Sequence, residues 1–190
     1  MPNIAIFASG AGSNAREIIR YFHQHPTIKI SLVACNKAGA GVIDVAASAG
    51  IPCFMINKDE FFKGDACVPF LKQHNIDLVV LAGFLWKIPL SLIEAFPHKI
   101  INIHPALLPA YGGKGMYGEK IHESVLLNND KQSGITVHYV DELYDHGQVI
   151  FQKTCDIEDT DTPDSLAEKV HQLEHRHYPR IIEELLQKMF

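Results

Sequence analysis

The feature that most constrains the fold is an alternation, over the first hundred residues, of short apolar runs with segments of helical periodicity. The apolar runs predict strands at residues 3–8, 28–35, 51–56, 77–82 and 99–103. The helical patterns predict helices at residues 14–25, 41–49, 64–74 and 89–96. Strands that alternate with helices indicate βαβ units and a parallel sheet. Near-continuous apolar strands such as LVVL fit a sheet that is covered on both faces.

The pattern changes after Pro105. A glycine-rich stretch at residues 111–118 predicts a loop, followed by a helix at 119–127. Two further strands, 133–140 and 148–156, predict an antiparallel hairpin. A final helix is expected from about residue 162 to 188, with Pro179 as a place where it could bend. We therefore predict an α/β fold: an open, mostly parallel Rossmann-like sheet with helices on both faces and a C-terminal antiparallel hairpin.

Composition indicates an ordinary globular domain. The chain has 190 residues, of which 47% are hydrophobic and 21% charged, close to typical globular usage. That length, without a linker-like segment, predicts a single domain over residues 1–190. The formal net charge is −5 and no basic stripe is present, which argues against a general nucleic-acid partner.

No segment predicts a membrane or secreted location. The longest apolar stretch, residues 78–96, is interrupted by Lys87, Pro89 and Glu94, whereas a membrane helix needs about 20 predominantly apolar residues. The N-terminus has no basic region before an apolar run, so no signal peptide is predicted. The four cysteines form no C-x-x-C pair, which favours free thiols in a reducing compartment. We therefore expect a cytoplasmic protein without a membrane partner.

A first candidate site is the sequence SGAGSNA at residues 9–15, between the first strand and the first helix. Glycines let the backbone approach a ligand, and the free N–H groups of the following helix favour a phosphate. Gly10, Gly12 and Ala15 match the dinucleotide fingerprint G-x-G-x-x-A, but the second strand does not end in the acidic residue that this fingerprint needs. Anion binding is therefore favoured over dinucleotide binding. The simpler interpretation is a tight turn with Ser or Asn as helix cap.

A second candidate is the segment NIHP at residues 102–105. Residues i and i+2 of a strand face the same way, so Asn102 and His104 project together at the carboxyl end of the fifth strand. Ligands of open α/β sheets bind at that end. An amide beside an imidazole can stabilise an oxyanion and move a proton. The alternative is a buried polar pair whose partners are backbone groups.

A third candidate is the acidic turn at residues 141–147, which contains Asp141, Glu142 and Asp145. Acidic turns are commonly just solvated. A carboxylate that reached His104 would raise the pKa of the imidazole and fix its orientation. The residues alone do not decide which acid reaches it.

The final helix carries His171, His175 and His177 beside Glu174. His171 and His175 share a helical face. Neither an H-E-x-x-H motif nor a nearby cysteine accompanies them, so we predict no metal. The chain also lacks a G-x-S-x-G elbow, which disfavours a serine hydrolase.

Several segments together resemble the folate-dependent formyltransferases. The Asn-x-His-Pro-x-Leu-Leu-Pro segment is highly specific for these enzymes, and the Gly-Ser-Asn loop narrows the resemblance to the glycinamide ribonucleotide formyltransferases of purine synthesis. The matching segments follow the expected order over nearly the whole chain: residues 10–14, 31–37, 80–84, 102–109, 137–140 with Asp145, and 172–175. The resemblance implies formyl transfer from 10-formyltetrahydrofolate, as co-substrate, to the amine of glycinamide ribonucleotide in de novo purine biosynthesis. It implies neither a metal nor a covalent intermediate.

The resemblance also implies three sets of site residues. The substrate-binding set comprises Gly12, Ser13 and Asn14 at the phosphate, with His171 and Glu174 near the ribose. The folate-binding set comprises Lys63, Leu85, Trp86, Lys87, Ile88 and Asn102. The catalytic set comprises Asn102, His104 and Asp145, with Asp145 supporting His104. We also predict that the domain has a phosphate- or nucleotide-binding half, residues 1–100, and a catalytic and folate-binding half, residues 101–190.

The implied mechanism follows the charge that develops during formyl transfer. Asn102 would donate a hydrogen bond to the tetrahedral oxyanion, and protonated His104 would stabilise it or deliver a proton to the leaving folate nitrogen. A side chain added at Gly12 is expected to stand where the phosphate must approach.

Three departures from the family pattern affect these assignments. Trp86 stands where relatives often carry Arg, so its contact with folate would differ in kind. His146 follows the acid in place of the common Gly. The loop at residues 112–118 is longer and richer in glycine than in many relatives.

Three other functions would use part of the same pattern. A methionyl-tRNA formyltransferase would add a C-terminal tRNA-binding domain, and a formyltetrahydrofolate hydrolase would add an N-terminal regulatory domain; neither addition is expected here. A non-catalytic nucleotide-binding module would use residues 10–14 and leave His104 idle. The chain could act as a monomer or a homodimer.

Overall fold

A computed structural model of the protein describes residues 1–63 and 66–189. The elements in chain order are β1 (Asn3–Ala8), α1 (Ser13–Phe22), β2 (Lys29–Cys35), α2 (Gly41–Ser48), β3 (Cys53–Met55), α3 (Lys58–Lys63), α4 (Cys67–Gln73), β4 (Leu78–Leu81), α5 (Leu90–Ala95), β5 (Ile100–His104), α6 (Glu119–Leu127), β6 (Gln132–Tyr139), β7 (Val149–Asp156) and α7 (Pro163–Met189).

The described strands form one sheet in the order β3-β2-β1-β4-β5-β6-β7. Strands β1 to β5 pair in parallel, whereas β6 is antiparallel to β5 and β7 is antiparallel to β6. The predicted fold class is therefore confirmed. Each parallel strand is nearly continuous in apolar residues because helices cover both of its faces.

The helices cover the two faces in two groups. On one face, α1, α2, α6 and α7 bury a cluster that includes Ile18, Val42, Ile121, Leu166 and Val170. On the other face, α3, α4 and α5 bury a second cluster that includes Phe61, Leu71 and Leu92. Helix α1 shows why such a helix forms, since its buried residues recur at spacings of three and four: Ala15, Ile18, Ile19 and Phe22.

The structure differs from the sequence prediction in a few elements. Helix α3 was not predicted; it follows Asn57, whose side-chain oxygen accepts the N–H of Asp59 at 2.9 Å. The predicted start of the next helix, residues 64 and 65, lies outside the described residues, and α4 begins at Cys67. Strand β3 has three residues instead of the predicted six. Helix α7 continues through Pro179.

Strand order creates a crevice at the carboxyl edge of the sheet. Strand β1 lies between β2 and β4, so the connections after β1 and after β4 leave toward opposite faces. Such a switch point is where open α/β sheets bind ligands. Within the described ranges, no helix is long and apolar enough to cross a membrane.

Candidate active site

A cleft of about 620 Å³ opens at this switch point. Its volume lies in the range of small-molecule sites, about 300–1,000 Å³. The lining residues come from the loops after β1, β4 and β5, from the glycine-rich loop, from the hairpin turn and from α7: residues 10–14, 82–85, 102–105, 113–119, 122, 144, 145, 163, 164, 167, 171 and 174. The cleft therefore joins the first two candidate sites and the acidic turn.

The turn after β1 presents the start of α1 to the cleft. Gly12 is the N-cap residue with φ 79° and ψ 27°, a left-handed conformation that glycine adopts readily. No side chain caps the helix, so the interpretation of a Ser or Asn cap is wrong. The first-turn N–H groups therefore remain for an anion at the helix N-terminus.

A side chain at Gly12 was expected to stand where the phosphate approaches, and the structure shows that this expectation is wrong. A Cβ atom built there would lie 2.8 Å from the Cα of Val42 on α2, so it would meet the protein and not the ligand. Gly10 differs, because it lines the cleft and its Cβ position has no atom within 4 Å. Gly10 is thus the place where an added methyl group tests ligand approach.

Glu174 of α7 lies beside this turn. The side-chain N–H of Asn14 donates to Glu174 Oε2 at 2.9 Å, and Glu174 is 4% exposed. Burial raises the pKa of the Glu174 carboxyl to about 7, although the hydrogen bond from Asn14 opposes the shift. Near neutral pH the carboxyl can therefore both donate to and accept from a hydroxyl group in the cleft.

His171 and His177 of α7 lie in different surroundings. His171 is exposed and lines the cleft, with its ring 6.2 Å from that of His175 and nearly parallel to it. His177 instead packs against Phe151, with ring centroids 5.2 Å apart. Among residues 1–63 and 66–189, no group of three or more His, Cys, Asp or Glu side chains is arranged to hold a metal ion.

The side chain of Asn102 is hydrogen-bonded to a histidine of the neighbouring strand β6. His138 lies opposite Asn102 in the β5–β6 pairing and is 2% exposed. Its Nδ1–H donates to the carbonyl of Tyr139 at 2.8 Å, so its Nε2 can accept from Asn102 Nδ2 at 3.2 Å. This orients the Asn102 amide and leaves its second N–H for a ligand.

His104 lies between a carbonyl and a carboxylate. Its Nε2–H donates to the carbonyl of Tyr111 at 2.8 Å, and its Nδ1 lies 3.6 Å from Asp145 Oδ1. In the neutral ring, Nδ1 therefore carries the lone pair. The second Asp145 oxygen accepts the N–H of Gly113 at 3.0 Å, so backbone of the glycine-rich loop positions both side chains.

The pKa of His104 lies below its ordinary value. Burial has the largest effect and lowers the pKa, while the Asp145 charge and the hydrogen bond to Tyr111 raise it. The Asp145 charge raises the pKa as expected, but desolvation outweighs it. The expectation of a protonated His104 is therefore wrong. His104 is mainly neutral at neutral pH.

In the hairpin turn, Asp141 and Asp145 have different partners. Asp141 accepts from the exposed His146, with 2.8 Å between Oδ2 and Nδ1. Asp145 instead lies within 4 Å of both His104 and His138. Asp145 has φ 52°, a left-handed conformation in which Asp and Asn are enriched.

Of the residues assigned to folate, Leu85 and Asn102 line the cleft and Lys63, Trp86, Lys87 and Ile88 do not. The ring of Trp86 packs 5.8 Å from Phe61 and 5.6 Å from Phe62. The Lys87 ammonium lies 5.9 Å from the ring centroid of Tyr144, which does line the cleft. Ile88 is buried in the core below α5, and Lys63 is exposed at the end of α3.

The polar residues that support Asn102 and His104 were not predicted from the sequence. Besides His138, Thr136 donates to the carbonyl of Ala106 at 2.7 Å and accepts the N–H of Leu108 at 2.9 Å. These bonds fix the chain just after His104. The sequence held part of the signal. Thr136 and His138 are two residues apart on β6 and so share a face of the strand, as Asn102 and His104 do on β5.

The fold and the cleft define an α/β protein with a small-molecule site at the switch point of its sheet, and the formyl transferase family model matches residues 2–182. The chain belongs to the formyl transferase family.

Several members of that family that are similar over nearly the whole chain are named phosphoribosylglycinamide formyltransferase. The chain is 39% identical over 193 residues to the phosphoribosylglycinamide formyltransferase of Bacillus subtilis, covering 98% of this chain and 95% of the relative. It is 40% identical over 185 residues to the chloroplastic phosphoribosylglycinamide formyltransferase of Arabidopsis thaliana, covering 94% of this chain and 63% of that relative's length. The crystal structure of phosphoribosylglycinamide formyltransferase from Bacillus halodurans superposes with a TM-score of 0.88 at 36% identity, over 99% of this chain and 97% of that one.

Proposed function

We propose that this chain transfers the formyl group of 10-formyltetrahydrofolate to the amine of glycinamide ribonucleotide, the acceptor that its relatives' name describes. The observation that carries the proposal is the cleft itself. It joins an uncapped helix N-terminus, suited to a phosphate, with Asn102, His104 and Asp145, suited to acyl transfer.

His104 would move one proton from the attacking amine to the leaving nitrogen. The amine attacks the formyl carbon, and neutral His104 accepts the amine proton at Nδ1. The resulting imidazolium donates to Asp145 Oδ1, which already lies 3.6 Å away, and to the Tyr111 carbonyl. When the bond from carbon to the folate nitrogen breaks, the imidazolium returns the proton to that nitrogen. The low pKa of His104 keeps the ring neutral and able to accept the amine proton. Asp145 then stabilises the imidazolium that forms.

Asn102 would stabilise the tetrahedral oxyanion. One N–H of its amide is engaged by His138 at 3.2 Å, which leaves the other directed by a rigid partner. A preorganised donor of this kind contributes more than a mobile one, because it needs no reorganisation as the charge develops. No metal or covalent enzyme intermediate takes part in the proposal.

The binding residues divide between the two substrates. Gly12, Ser13 and Asn14 would hold the phosphate, and His171 and Glu174 the ribose hydroxyls. Leu85 and Asn102 would contact the folate, with Lys87 acting through Tyr144. Lys63, Trp86 and Ile88 stay predictions as folate contacts. We also propose the cytoplasm as compartment, which the four free cysteine thiols suit.

Turnover with and without the acceptor tests this proposal. The pure protein is mixed with 10-formyltetrahydrofolate, and loss of the formyl group is followed with and without glycinamide ribonucleotide. We expect deformylation only with the ribonucleotide, at one formylated product for each folate released.

The other outcomes identify the competing functions. Deformylation that does not need the ribonucleotide would indicate a formyltetrahydrofolate hydrolase. Ribonucleotide binding without turnover would indicate a nucleotide-binding module. Transfer to a charged tRNA in place of the ribonucleotide would indicate a different formyltransferase.

A further inference from the structure

We propose that Lys114, at the tip of the glycine-rich loop, binds the phosphate of the substrate ribonucleotide and so selects a phosphorylated acceptor. This inference rests on the proposed function and adds a specificity residue to it. Lys114 is the one Lys or Arg among the described residues that line the cleft.

The charges of the cleft create a need for such a cation. Its lining includes four acidic side chains: Glu119, Asp145, Asp164 and Glu174. A phosphate brought among carboxylates is repelled unless a positive group neutralises it. The N-terminus of α1 supplies only a partial charge, equivalent to about half an elementary charge. A lysine ammonium adds a full point charge with three donors.

The ammonium of Lys114 is available for this role. Within the described part of the chain, Lys114 forms no salt bridge or hydrogen bond, unlike Lys131 and Lys169, which pair with aspartates. Lys87 and Lys120 differ in another way, since each lies over a tyrosine ring. Lys114 is thus the cleft's unpaired cation.

The loop fixes Lys114 at the tip of a tight turn. Met116 N–H donates to the carbonyl of Gly113 at 3.1 Å, so Lys114 and Gly115 are the two central residues. Gly115 has φ +92°, a positive value as the third residue of a type II turn requires. The loop is anchored by Tyr111, whose hydroxyl donates to Asp130 at 2.6 Å.

The position of the loop favours the phosphate over the folate carboxylates. The loop leads into α6, which packs with α7, and α7 packs with α1 on the same face of the sheet. That face carries Glu174 and the turn between β1 and α1, which would hold the phosphate. Phe84 and Ile88, in the segment that leads to α5, pack on the opposite face. Lys114 therefore belongs to the ribonucleotide side of the cleft.

Comparison of phosphorylated and unphosphorylated acceptors tests the proposal. Glycinamide ribonucleotide and glycinamide riboside, which lacks the phosphate, are titrated calorimetrically into wild-type protein, Lys114→Met and Lys114→Arg. We expect Lys114→Met to weaken ribonucleotide binding at least tenfold, to leave riboside binding within twofold, and to flatten the dependence of ribonucleotide affinity on salt. Lys114→Arg should recover most of the affinity, since it restores the charge.

Lys120→Met is the matched control, because it removes a nearby lysine that does not line the cleft. It should bind both ligands as the wild type does. Equal weakening of ribonucleotide and riboside in Lys114→Met, or no weakening, overturns the proposal. An increased KM for 10-formyltetrahydrofolate alone would overturn it too, in favour of the folate carboxylates.

Binding is measured without turnover, so the two proposals fail separately. Wild-type protein that binds the ribonucleotide through Lys114 but never formylates it overturns the proposed function and retains the phosphate contact. Wild-type protein that formylates the ribonucleotide while Lys114→Met behaves normally overturns only the contact. Protein that binds neither acceptor overturns both.

Discussion

At the scale of single residues, the environment of His104 determines whether its imidazole is neutral or protonated before the reaction. The ring is 3% exposed, and burial lowers the pKa of the imidazole despite the neighbouring carboxylate. A neutral imidazole can accept a proton from an attacking amine, whereas an imidazolium cannot. In the proposed reaction, Asp145 would therefore have its main effect after the proton has moved to His104, when it faces a cation.

Asp145→Asn tests this order of events. Loss of the negative charge should lower the pKa of His104 further, because the Asp145 charge raises it. The limb of the pH–rate profile on which His104 loses its proton should therefore move to lower pH. The rate above that limb should fall by about ten- to a hundredfold, because the imidazolium that forms during reaction loses its partner. The profile of kcat against pH is the measurement.

Asp141→Asn is the matched control for Asp145→Asn. Asn tolerates the left-handed conformation at position 145, so the backbone should persist in the test variant. Asp141 pairs with the exposed His146, and its variant should keep the wild-type profile. A normal Asp145→Asn enzyme beside an impaired Asp141→Asn enzyme would reverse our assignment of the acid.

The buried carboxyl of Glu174 should make stability depend on pH. Its pKa is raised to about 7, so between about pH 4.5 and 7 the folded state binds more protons than the unfolded state. The free energy of unfolding should therefore fall as pH rises through this window, by about 3 kcal/mol in total. Glu174→Gln should remove that slope and be the more stable protein at pH 8. Denaturant unfolding at pH 5 and pH 8 measures both effects.

Glu183, also on α7, provides a control of opposite sign. Hydrogen bonds from Tyr21 and His25 lower the pKa of its carboxyl, so its stabilising effect is present above the unfolded pKa and is lost on acidification. Glu183→Gln should therefore lose stability at pH 8. A gain in stability at pH 8 for Glu183→Gln, or an unchanged slope for Glu174→Gln, would contradict the assignment.

At the scale of elements, the turn between β1 and α1 contains a glycine packed against the protein, Gly12, and a glycine that faces the cleft, Gly10. Gly10→Ala adds a methyl group in open space on the cleft wall, so it should leave the melting temperature unchanged. It should raise the KM for the ribonucleotide about tenfold or more, since displacement of the phosphate loses charge-assisted hydrogen bonds of about 1.5–3 kcal/mol each. The KM for folate should stay constant.

Gly12→Ala should show the reverse behaviour. Its φ of +79° and the 2.8 Å approach to Val42 predict a loss of stability of about 1–3 kcal/mol. A melting temperature that falls in Gly10→Ala and not in Gly12→Ala would show that we have exchanged the two roles. Thermal unfolding of both variants, with and without the ribonucleotide, decides the matter.

Sequence patterns predicted every described element except helix α3, and that omission has a physical reason. The spacing of Ile18, Ile19 and Phe22 is a repeat that only a helical face explains. Helix α3 has six residues and one buried side chain, Phe61, which is too short a segment for periodicity to show. Its local signals are the capping side chain of Asn57 and the acidic residues Asp59 and Glu60 in its first turn.

At the scale of the whole molecule, some features of the site follow from the sequence, whereas others depend on how distant segments pack together. Asn102 and His104 share a side of β5 because of the two-residue period of a strand, so their pairing was predictable. The approach of Asp145 depends on a left-handed residue in a hairpin turn, which no pattern encodes. The pKa of His104 depends on how deeply neighbouring segments bury it, and this too is a tertiary property.

The two sequence halves contribute to one sheet, and one residue links them in the interior. Tyr178 of α7 is fully buried, and its hydroxyl donates to the carbonyl of Leu81 on β4 at 2.9 Å. Burial of the ring and of its hydroxyl raises the Tyr178 pKa well above its ordinary value, so the hydroxyl stays a donor. The hydrogen bond from Tyr178 to Leu81 thus connects the two halves of the predicted single domain, and a single substitution can remove it.

Tyr178→Phe tests whether the molecule unfolds as one unit. The change deletes a hydroxyl and leaves a buried carbonyl without that donor, which should cost about 1–3 kcal/mol. Trp86, the single tryptophan, packs on Phe61 across the sheet from α7, so its fluorescence reports the opposite face. In a single cooperative unit the fluorescence and far-ultraviolet circular dichroism transitions coincide, and both move to lower denaturant in the variant. A Trp86 transition that Tyr178→Phe leaves in place would instead show that the two faces unfold separately.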